Sequence, residues 1–159
     1  MGFAEYDRFD ALGLADLVRR GEITPRALID EVASRVERHD ARWNGVVVRL
    51  FDEARAAAAG PLPDGPFRGV PLFTKELDTA VAGSSQSFGS RFMEGVRASH
   101  DALIIRRHRA AGFVIAGKTN TPELGLVPFT EPRLWGPARN PWDATRTPGG
   151  SSGGAAVAV

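Results

Sequence analysis

Apolar side chains recur at helical spacing in the first third of the chain. Residues 11–20 carry two leucines and a valine at i, i+3 and i+4, which predicts a short amphipathic helix. Residues 25–39 repeat this pattern, with Thr24 as a candidate N-cap and Pro25 at the first helical position. We therefore expect helices to make up the opening of the chain, over residues 1–45.

Strand and helix patterns alternate in the part of the chain that follows. The predicted elements are a strand over 46–51, a helix over 52–59, an apolar strand over 70–74 that leads into Lys75, a helix over 101–111 and a buried strand over 113–116. Ser99 or Asp101 is the candidate N-cap of the second of these helices. Helices that alternate with strands in this order predict an α/β fold.

Loops are predicted for most of the remaining residues. A Gly/Ser-rich loop covers 83–90, a proline-rich irregular stretch covers 121–148, and a GGSSGG run covers 149–154. The final AAVAV segment (155–159) has the pattern of a buried helix start, and so short a helix is marginal without a continuation. We therefore expect the 159 residues to be the N-terminal part of a longer protein, in which 46–159 begin an α/β core.

Composition and charge exclude several classes of protein. The 20 basic and 19 acidic residues give a net charge of +1, so no broad positive field favours nucleic acid or an anionic membrane. The chain has no cysteine, which excludes disulfides, thiolate metal sites and cysteine nucleophiles. The N-terminal segment has early acidic residues and no apolar run, and no stretch is long and apolar enough to span a bilayer. We expect a cytoplasmic protein that binds neither nucleic acid nor membrane.

Only two of the basic residues are lysines, Lys75 and Lys118. Arginine stays charged in proteins, whereas a buried lysine can lose its proton and act as a base near neutral pH. Lys75 follows an apolar strand, so its stem is a candidate for burial. A solvated surface charge is the alternative for Lys75, and the residues alone leave both interpretations open.

The segment Gly112–Thr119 matches the P-loop pattern of nucleotide-binding proteins letter for letter. In a P-loop the four residues between the glycines wrap phosphate, whereas here they are FVIA, a strand pattern. A turn follows where a P-loop needs a helix, so we expect Lys118 to be structural. The three histidines, His39, His100 and His108, lack paired ligand spacing, which predicts neither a metal site nor a Ser-His-Asp triad.

The GGSSGG run has three interpretations. It could be a flexible linker, an anion-binding helix N-terminus, or a closely packed loop that presents the hydroxyls of Ser151 and Ser152 to a reaction. Glycine permits the close backbone approach that the third interpretation needs.

Several segments, taken in order, match the pattern of one enzyme family. They are LVRRGEITPRALIDEVASRVERHDARWNGVV (17–47), GVPLFTKELD (69–78), AAGFVIAGKTNTPELG (110–125) and TEPRLWGPARNPWDATRTPGGSSGG (130–154). Together they resemble the amidase signature family of serine hydrolases, and the resemblance covers nearly the whole chain. It implies an α/β fold with a mixed β-sheet flanked by helices, and an amide hydrolase that needs no cofactor.

The resemblance also implies roles for individual residues. The family relays protons through a lysine and a serine in a cis peptide, and Lys75 and Ser151 match these two positions. We therefore expect Lys75 to lie inward, close to Ser151. Further positions implied by the resemblance are Ser152, Gly149, Gly150 and Gly153 as support for the relay, and Gly125 and Leu126 as candidate substrate contacts.

Two departures from the family pattern bear on activity. The nucleophilic serine of the family lies farther along the chain than the bridging serine, in a Gly-rich stretch that also supplies oxyanion-hole amides. We expect both to belong to the missing C-terminal remainder, a partner without which this chain is inactive. The second departure is Glu76, which stands where the family usually has aspartate.

Three functions remain open at this point. Within the family, TPELG (121–125) and EPRLWGPARNPWD (131–143) most resemble the 6-aminohexanoate-cyclic-dimer hydrolase type, which implies hydrolysis of small-molecule carboxylic or cyclic amides. A homodimer of the full-length protein is a possible assembly. The first alternative is the amidase subunit of a glutamyl-tRNA(Gln) amidotransferase, which usually has DEFAMG where this chain has PELGLV. The second is a noncatalytic binding module.

Overall fold

A computed structural model describes Phe3 and residues 5–159. The helices and strands of these residues are α1 (Ala11–Arg19), α2 (Pro25–Trp43), β1 (Val46–Arg49), α3 (Phe51–Ala59), β2 (Pro71–Lys75), α4 (Leu103–Ala110), β3 (Val114–Thr119) and α5 (Gly153–Ala158). Short 3-10 turns lie at Tyr6–Arg8, Arg91–Met93 and Glu123–Gly125.

The start of α2 is the one that the sequence predicts. The Thr24 hydroxyl accepts an amide hydrogen bond from the first helical turn at 3.2 Å, as an N-cap does. The helix runs past its predicted end at residue 39, to Trp43, and stops where Asn44 adopts a left-handed conformation. The carboxylate of Asp40 accepts hydrogen bonds from the amides of Gly45 and Val46, and the chain turns there into β1.

The strands form a mixed sheet in the order β1-β3-β2. The central strand β3 runs antiparallel to β1 and parallel to β2. In this register Lys75 lies beside Thr119, and Thr74 beside Lys118. The fold is therefore α/β with a mixed sheet and flanking helices, which confirms the predicted fold class.

Helices cover both faces of β3. Val114 and Ala116 pack against α2 and α3, whereas Ile115 packs on the opposite face beside Ile105 of α4. This alternation follows from the two-residue period of a strand, and every residue of β3 is buried. A third cluster, centred on Leu28, joins α1 to α2.

The predicted boundary between the strand over 46–51 and the helix over 52–59 is wrong. The strand expected over 46–51 ends at Arg49, because the backbone of Leu50 leaves the extended conformation, with ψ 36°, and the chain enters α3 at Phe51. The Phe51 ring packs edge-on against Phe73, so an apolar residue that the pattern places in a strand starts a helix instead.

The predicted N-cap of α4 is also wrong. This helix begins at Leu103 after Ala102, without a side-chain cap. The carboxylate of Asp101 accepts hydrogen bonds from the Ala82 amide and the Arg109 guanidinium instead. It therefore ties the helix to the preceding loop rather than capping it.

The P-loop letters lie in a strand, as their apolar pattern predicts. Residues 114–119 form β3, so their amides belong to the sheet and cannot wrap a phosphate. Among the described residues, no helix has the length and hydropathy needed to cross a bilayer. The cytoplasmic location stays a prediction.

Candidate active site

Lys75 and Ser151 meet at the end of β2. Lys75 is the last residue of that strand, and Ser151 lies in the loop that leads into α5. The Lys75 Nζ donates a hydrogen bond to the Ser151 Oγ at 2.6 Å, across 76 residues of sequence. The two side chains that the sequence motifs pair are therefore in direct contact.

The glycines of the 149–153 loop allow it to pack closely on its neighbours. Gly149 has φ +89°, and the Gly150–Ser151 peptide bond is cis. A Cβ on Gly150 would lie 2.8 Å from the Phe129 amide nitrogen, and one on Gly153 would lie 2.7 Å from Thr130 Cβ. The flexible-linker interpretation of this run is therefore wrong.

Two buried threonines hold the same loop by hydrogen bonds. The Thr130 hydroxyl donates to the Gly149 carbonyl at 2.9 Å and accepts from the Gly153 amide at 3.1 Å. The Thr121 hydroxyl donates to the Ser151 carbonyl at 3.2 Å. Sequence reasoning missed both residues, because neither threonine stands out within TEPRLWG or GKTNTPELG.

The electrostatic setting of Lys75 favours loss of its proton. Partial burial lowers the pKa of the Lys75 amine below its ordinary value, and the smaller, opposing influence is the carboxylate of Asp78. A lower pKa increases the fraction of neutral amine near neutral pH, which is the form that accepts a proton.

Lys118 lies on the other face of the sheet. It is beside Thr74, one residue before Lys75, so the two lysine side chains leave adjacent strands in opposite directions. Its side chain is 1% exposed, and its Nζ donates to the Ser85 carbonyl at 2.6 Å. Burial lowers the pKa of Lys118, and the nearby carboxylate of Glu76 opposes the shift.

Glu76 organises the loop over residues 83–90. Its buried carboxylate accepts from the Ser87 amide at 2.8 Å and from the Gly89 amide at 3.1 Å. The residue that departs from the family pattern comes directly after the catalytic candidate Lys75, and it supports the 83–90 loop.

The remaining predicted site residues lie on two neighbouring segments. Ser152 is exposed and is the N-cap residue of α5, where its carbonyl accepts from Ala156. Gly125, at φ +68°, packs on Leu77, two residues after Lys75. Leu126 is 78% exposed, on the segment that runs on to Phe129 beside Gly150.

A comparison with family models and known proteins gives one consistent result. The amidase family model matches residues 27–159. The chain is 44% identical to the 6-aminohexanoate-cyclic-dimer hydrolase of Paenarthrobacter ureafaciens, over 94% of this chain and 30% of that protein. It is 42% identical to a glutamyl-tRNA(Gln) amidotransferase subunit of Halorhodospira halophila, over 87% of this chain and 30% of that protein.

A comparison with solved structures leads to the same family as the comparison with relatives. A structure of 6-aminohexanoate cyclic dimer hydrolase superimposes with a TM-score of 0.90 at 44% identity, over 95% of this chain and 31% of the solved chain. The fold thus matches the N-terminal part of amidase signature structures. The chain spans about 30% of the length of the curated relatives that it matches.

Proposed function

This chain belongs to the amidase family, and on that premise we propose that it supplies the lysine and the bridging serine of an amide-hydrolysing site. The observation that carries the proposal is the 2.6 Å hydrogen bond from Lys75 Nζ to Ser151 Oγ. The lowered pKa of Lys75 supports it, because a base must be neutral before it can take a proton.

The proposed relay carries a proton from the nucleophilic serine through Ser151 to Lys75, and later carries a proton back. Neutral Lys75 takes the proton of the Ser151 hydroxyl while Ser151 takes the proton of a nucleophilic serine, whose oxygen then bonds to the amide carbonyl carbon. Return of the proton along the same path reaches the amide nitrogen as the C–N bond breaks. A water molecule then uses the relay to release the acid and regenerate the nucleophile.

On this proposal, the nucleophile and the oxyanion-hole amides come from outside the 159 residues. The chain covers 30% of a relative of the hydrolase type. Lys75 and Ser151 would then be the proton-transfer part of the site, supported by Ser152 and by Gly149, Gly150 and Gly153. The 1–159 segment would be the first part of a single amidase domain.

The proposed substrates are small linear or cyclic amides. The relative from Paenarthrobacter ureafaciens is named for hydrolysis of a cyclic dimer of 6-aminohexanoate. Gly125 and Leu126 are the proposed substrate contacts, because their segment continues to Phe129, which packs against the loop that carries Ser151.

Membership of an amidotransferase is the second candidate function. The observation that favours it is the 42% identity to the glutamyl-tRNA(Gln) amidotransferase subunit of Halorhodospira halophila. Such a protein would use the same Lys75–Ser151 relay, so the two candidates differ in substrate and partner rather than in proton transfer. A noncatalytic module is the third candidate, in which the Lys75–Ser151 contact would be structural.

A chimera tests the proposed relay. The matching segment of the Paenarthrobacter ureafaciens hydrolase is replaced by this chain, and hydrolysis of the 6-aminohexanoate cyclic dimer is measured. We expect the chimera to be active, and its Ser151→Ala variant to lose at least about 10³-fold in kcat. Ser99→Ala, which removes an exposed hydroxyl on another loop, is the matched control.

Two results would overturn parts of the proposal. An active chimera that keeps its rate in the Ser151→Ala variant excludes Ser151 from proton transfer. A folded chimera that does not hydrolyse the cyclic dimer, although the unchanged Paenarthrobacter ureafaciens hydrolase does, contradicts the proposal that this chain supplies a working Lys75–Ser151 pair.

A further inference from the structure

A single buried hydroxyl joins the two ends of the loop that carries Ser151. Thr130 Oγ1 donates its proton to the Gly149 carbonyl at 2.9 Å and accepts the Gly153 amide proton at 3.1 Å. The residues that it connects are two before and two after Ser151. The hydroxyl therefore acts both as a hydrogen-bond donor and as an acceptor towards the same short segment.

The position of Thr130 is set independently of this loop. Its side chain is fully buried, and its carbonyl accepts from the Ala138 amide at 2.9 Å, which joins it to a later part of the same irregular stretch 121–148. Gly153 has no side chain, so Thr130 lies against the helix start, where a Cβ on Gly153 would overlap it. The hydroxyl therefore reaches the loop from a fixed support.

This bridge requires a side chain with a hydroxyl group, which both donates and accepts. Valine has the same shape as threonine but neither donates nor accepts, so it would leave a buried carbonyl and a buried amide unpaired. Serine keeps the hydroxyl and loses one methyl group. These two substitutions therefore separate the hydrogen bonds from the packing.

We propose that Thr130 is a positioning residue for Ser151, which holds Gly149 and Gly153 so that the Ser151 Oγ stays within hydrogen-bond distance of Lys75 Nζ. This inference rests on the proposed function for its catalytic meaning. Thr130 does not touch Lys75 or a substrate. It acts through the loop, so loss of its hydroxyl lets Ser151 move away and admits water to the Lys75 amine.

The test uses the fact that the 159-residue chain has only two lysines. Lysine labelled with ¹³C at Cε yields one NMR signal for Lys75 and one for Lys118, which the Lys75→Arg variant assigns. Each signal is followed through a pH titration in the wild-type chain and in the Thr130→Val and Thr130→Ser variants. Ser84→Ala is the matched control, because it removes another buried hydroxyl that donates to a carbonyl, at 2.7 Å, away from the 149–153 loop.

We expect Thr130→Val to raise the pKa of Lys75 towards the ordinary value of 10.5 while the Lys118 titration stays unchanged. Thr130→Ser and Ser84→Ala should both keep the wild-type Lys75 titration. A Thr130→Val variant with a wild-type Lys75 titration would overturn the positioning role. By contrast, a wild-type Lys75 that already titrates at the ordinary lysine value would contradict the proposed function, whatever the variants do.

A second measurement decides the matter if Thr130→Val does not fold. Hydrogen exchange of the Gly153 amide is compared with that of Gly154, whose amide donates to the Asn120 carbonyl at 3.1 Å. Exchange of Gly153 as slow as that of Gly154, in the wild-type and Thr130→Ser chains, supports the bridge. Fast exchange of the Gly153 amide alone overturns it.

Discussion

At the scale of single residues, two lysines on adjacent strands have contrasting surroundings. Lys75 contacts a serine hydroxyl at the end of β2, whereas Lys118 is enclosed under the opposite face and bonds a backbone carbonyl. Burial lowers the pKa of both amines. Within the proposed function, this difference in surroundings favours Lys75 over Lys118 as the base.

Lys75→Arg is expected to abolish activity in the chimera described above. Arginine keeps the positive charge and most of the length but cannot lose its proton, so it cannot act as a base. We expect a loss in kcat/KM of at least about 10³-fold, close to that of Lys75→Ala. Steady-state kinetics on the 6-aminohexanoate cyclic dimer measure it, and an Arg variant with substantial activity would remove Lys75 from the mechanism.

Lys118 should make the chain more stable at alkaline pH. Its pKa is lowered in the folded state, so between that pKa and the ordinary value of 10.5 the unfolded chain binds more protons. The free energy of unfolding must therefore rise with pH across this window. Lys75 contributes with the same sign.

Urea unfolding at a series of pH values up to 10.5 measures the effect, with Lys118→Met as the comparison. Methionine keeps the length of the side chain without a titrating amine, so the rise with pH should become smaller. An identical pH dependence in both chains would show that Lys118 does not titrate differently in the folded and unfolded states.

At the scale of elements, the loop over 83–90 and the loop over 149–153 are each held by hydrogen bonds to buried polar side chains. Glu76 holds the first through the amides of Ser87 and Gly89. Thr130 holds the second through a carbonyl and an amide. In both cases a polar side chain takes over hydrogen bonds that a regular helix or strand would otherwise provide.

Glu76→Ala is expected to lower the free energy of unfolding by about 2–4 kcal/mol, because it leaves two buried amides without an acceptor. Chemical denaturation measures this change. Glu94→Ala removes an exposed carboxylate just after the 83–90 loop, and it should change the free energy of unfolding little. Equal stability of the two variants would contradict the structural role of Glu76.

Gly153→Ala is expected to disturb the start of α5. The added Cβ would lie 2.7 Å from Thr130 Cβ, so one of the two segments must move. We expect a destabilisation of about 1–3 kcal/mol, typical of overpacking. Gly60→Ala is the matched control, because the nearest atom to its Cβ is a carbonyl oxygen 3.6 Å away, an ordinary contact. Denaturation curves measure the free energy of unfolding of both variants. The expectation is supported if Gly60→Ala stays close to the wild type and Gly153→Ala does not.

At the scale of the whole molecule, several large apolar side chains lie in solvent. Phe92 is 92% exposed and Trp142 is 96% exposed.

A groove of about 680 Å³ lies between α2, β2 and the end of α5, and Lys75 and Ser151 do not line it. This groove is thus separate from the candidate active site.

The 159-residue chain by itself is expected not to hydrolyse amides. Ser151 acting as a nucleophile would have Lys75 as its base but no preorganised oxyanion donors, and loss of even one such donor lowers the rate by about 10²–10³-fold. An assay on small linear and cyclic amides, with the Paenarthrobacter ureafaciens hydrolase as control, measures the rate. Turnover within about tenfold of that control would show that residues 1–159 already contain the nucleophile.

The sequence by itself was sufficient to predict features that depend on residues close together along the chain. Helical periodicity and the Thr24 cap predicted α2, and the strand pattern of FVIA excluded a P-loop. The ordered segments that resemble the amidase signature family also led to the pairing of Lys75 with Ser151 and to a mixed sheet. Such features are readable because they rest on spacing along the chain or on motifs that occur as a block.

Only the tertiary structure revealed the features that join distant segments. Leu50 fits the strand pattern, but its backbone leaves the extended conformation and becomes the N-cap position of α3. Asp101 is a plausible cap until Ala82 and Arg109 reach its carboxylate. Thr130 is one polar residue in an irregular stretch until the fold places Gly149 and Gly153 on either side of its hydroxyl. A buried polar group takes whichever partner the fold brings within about 3 Å, and distance along the sequence does not determine that partner.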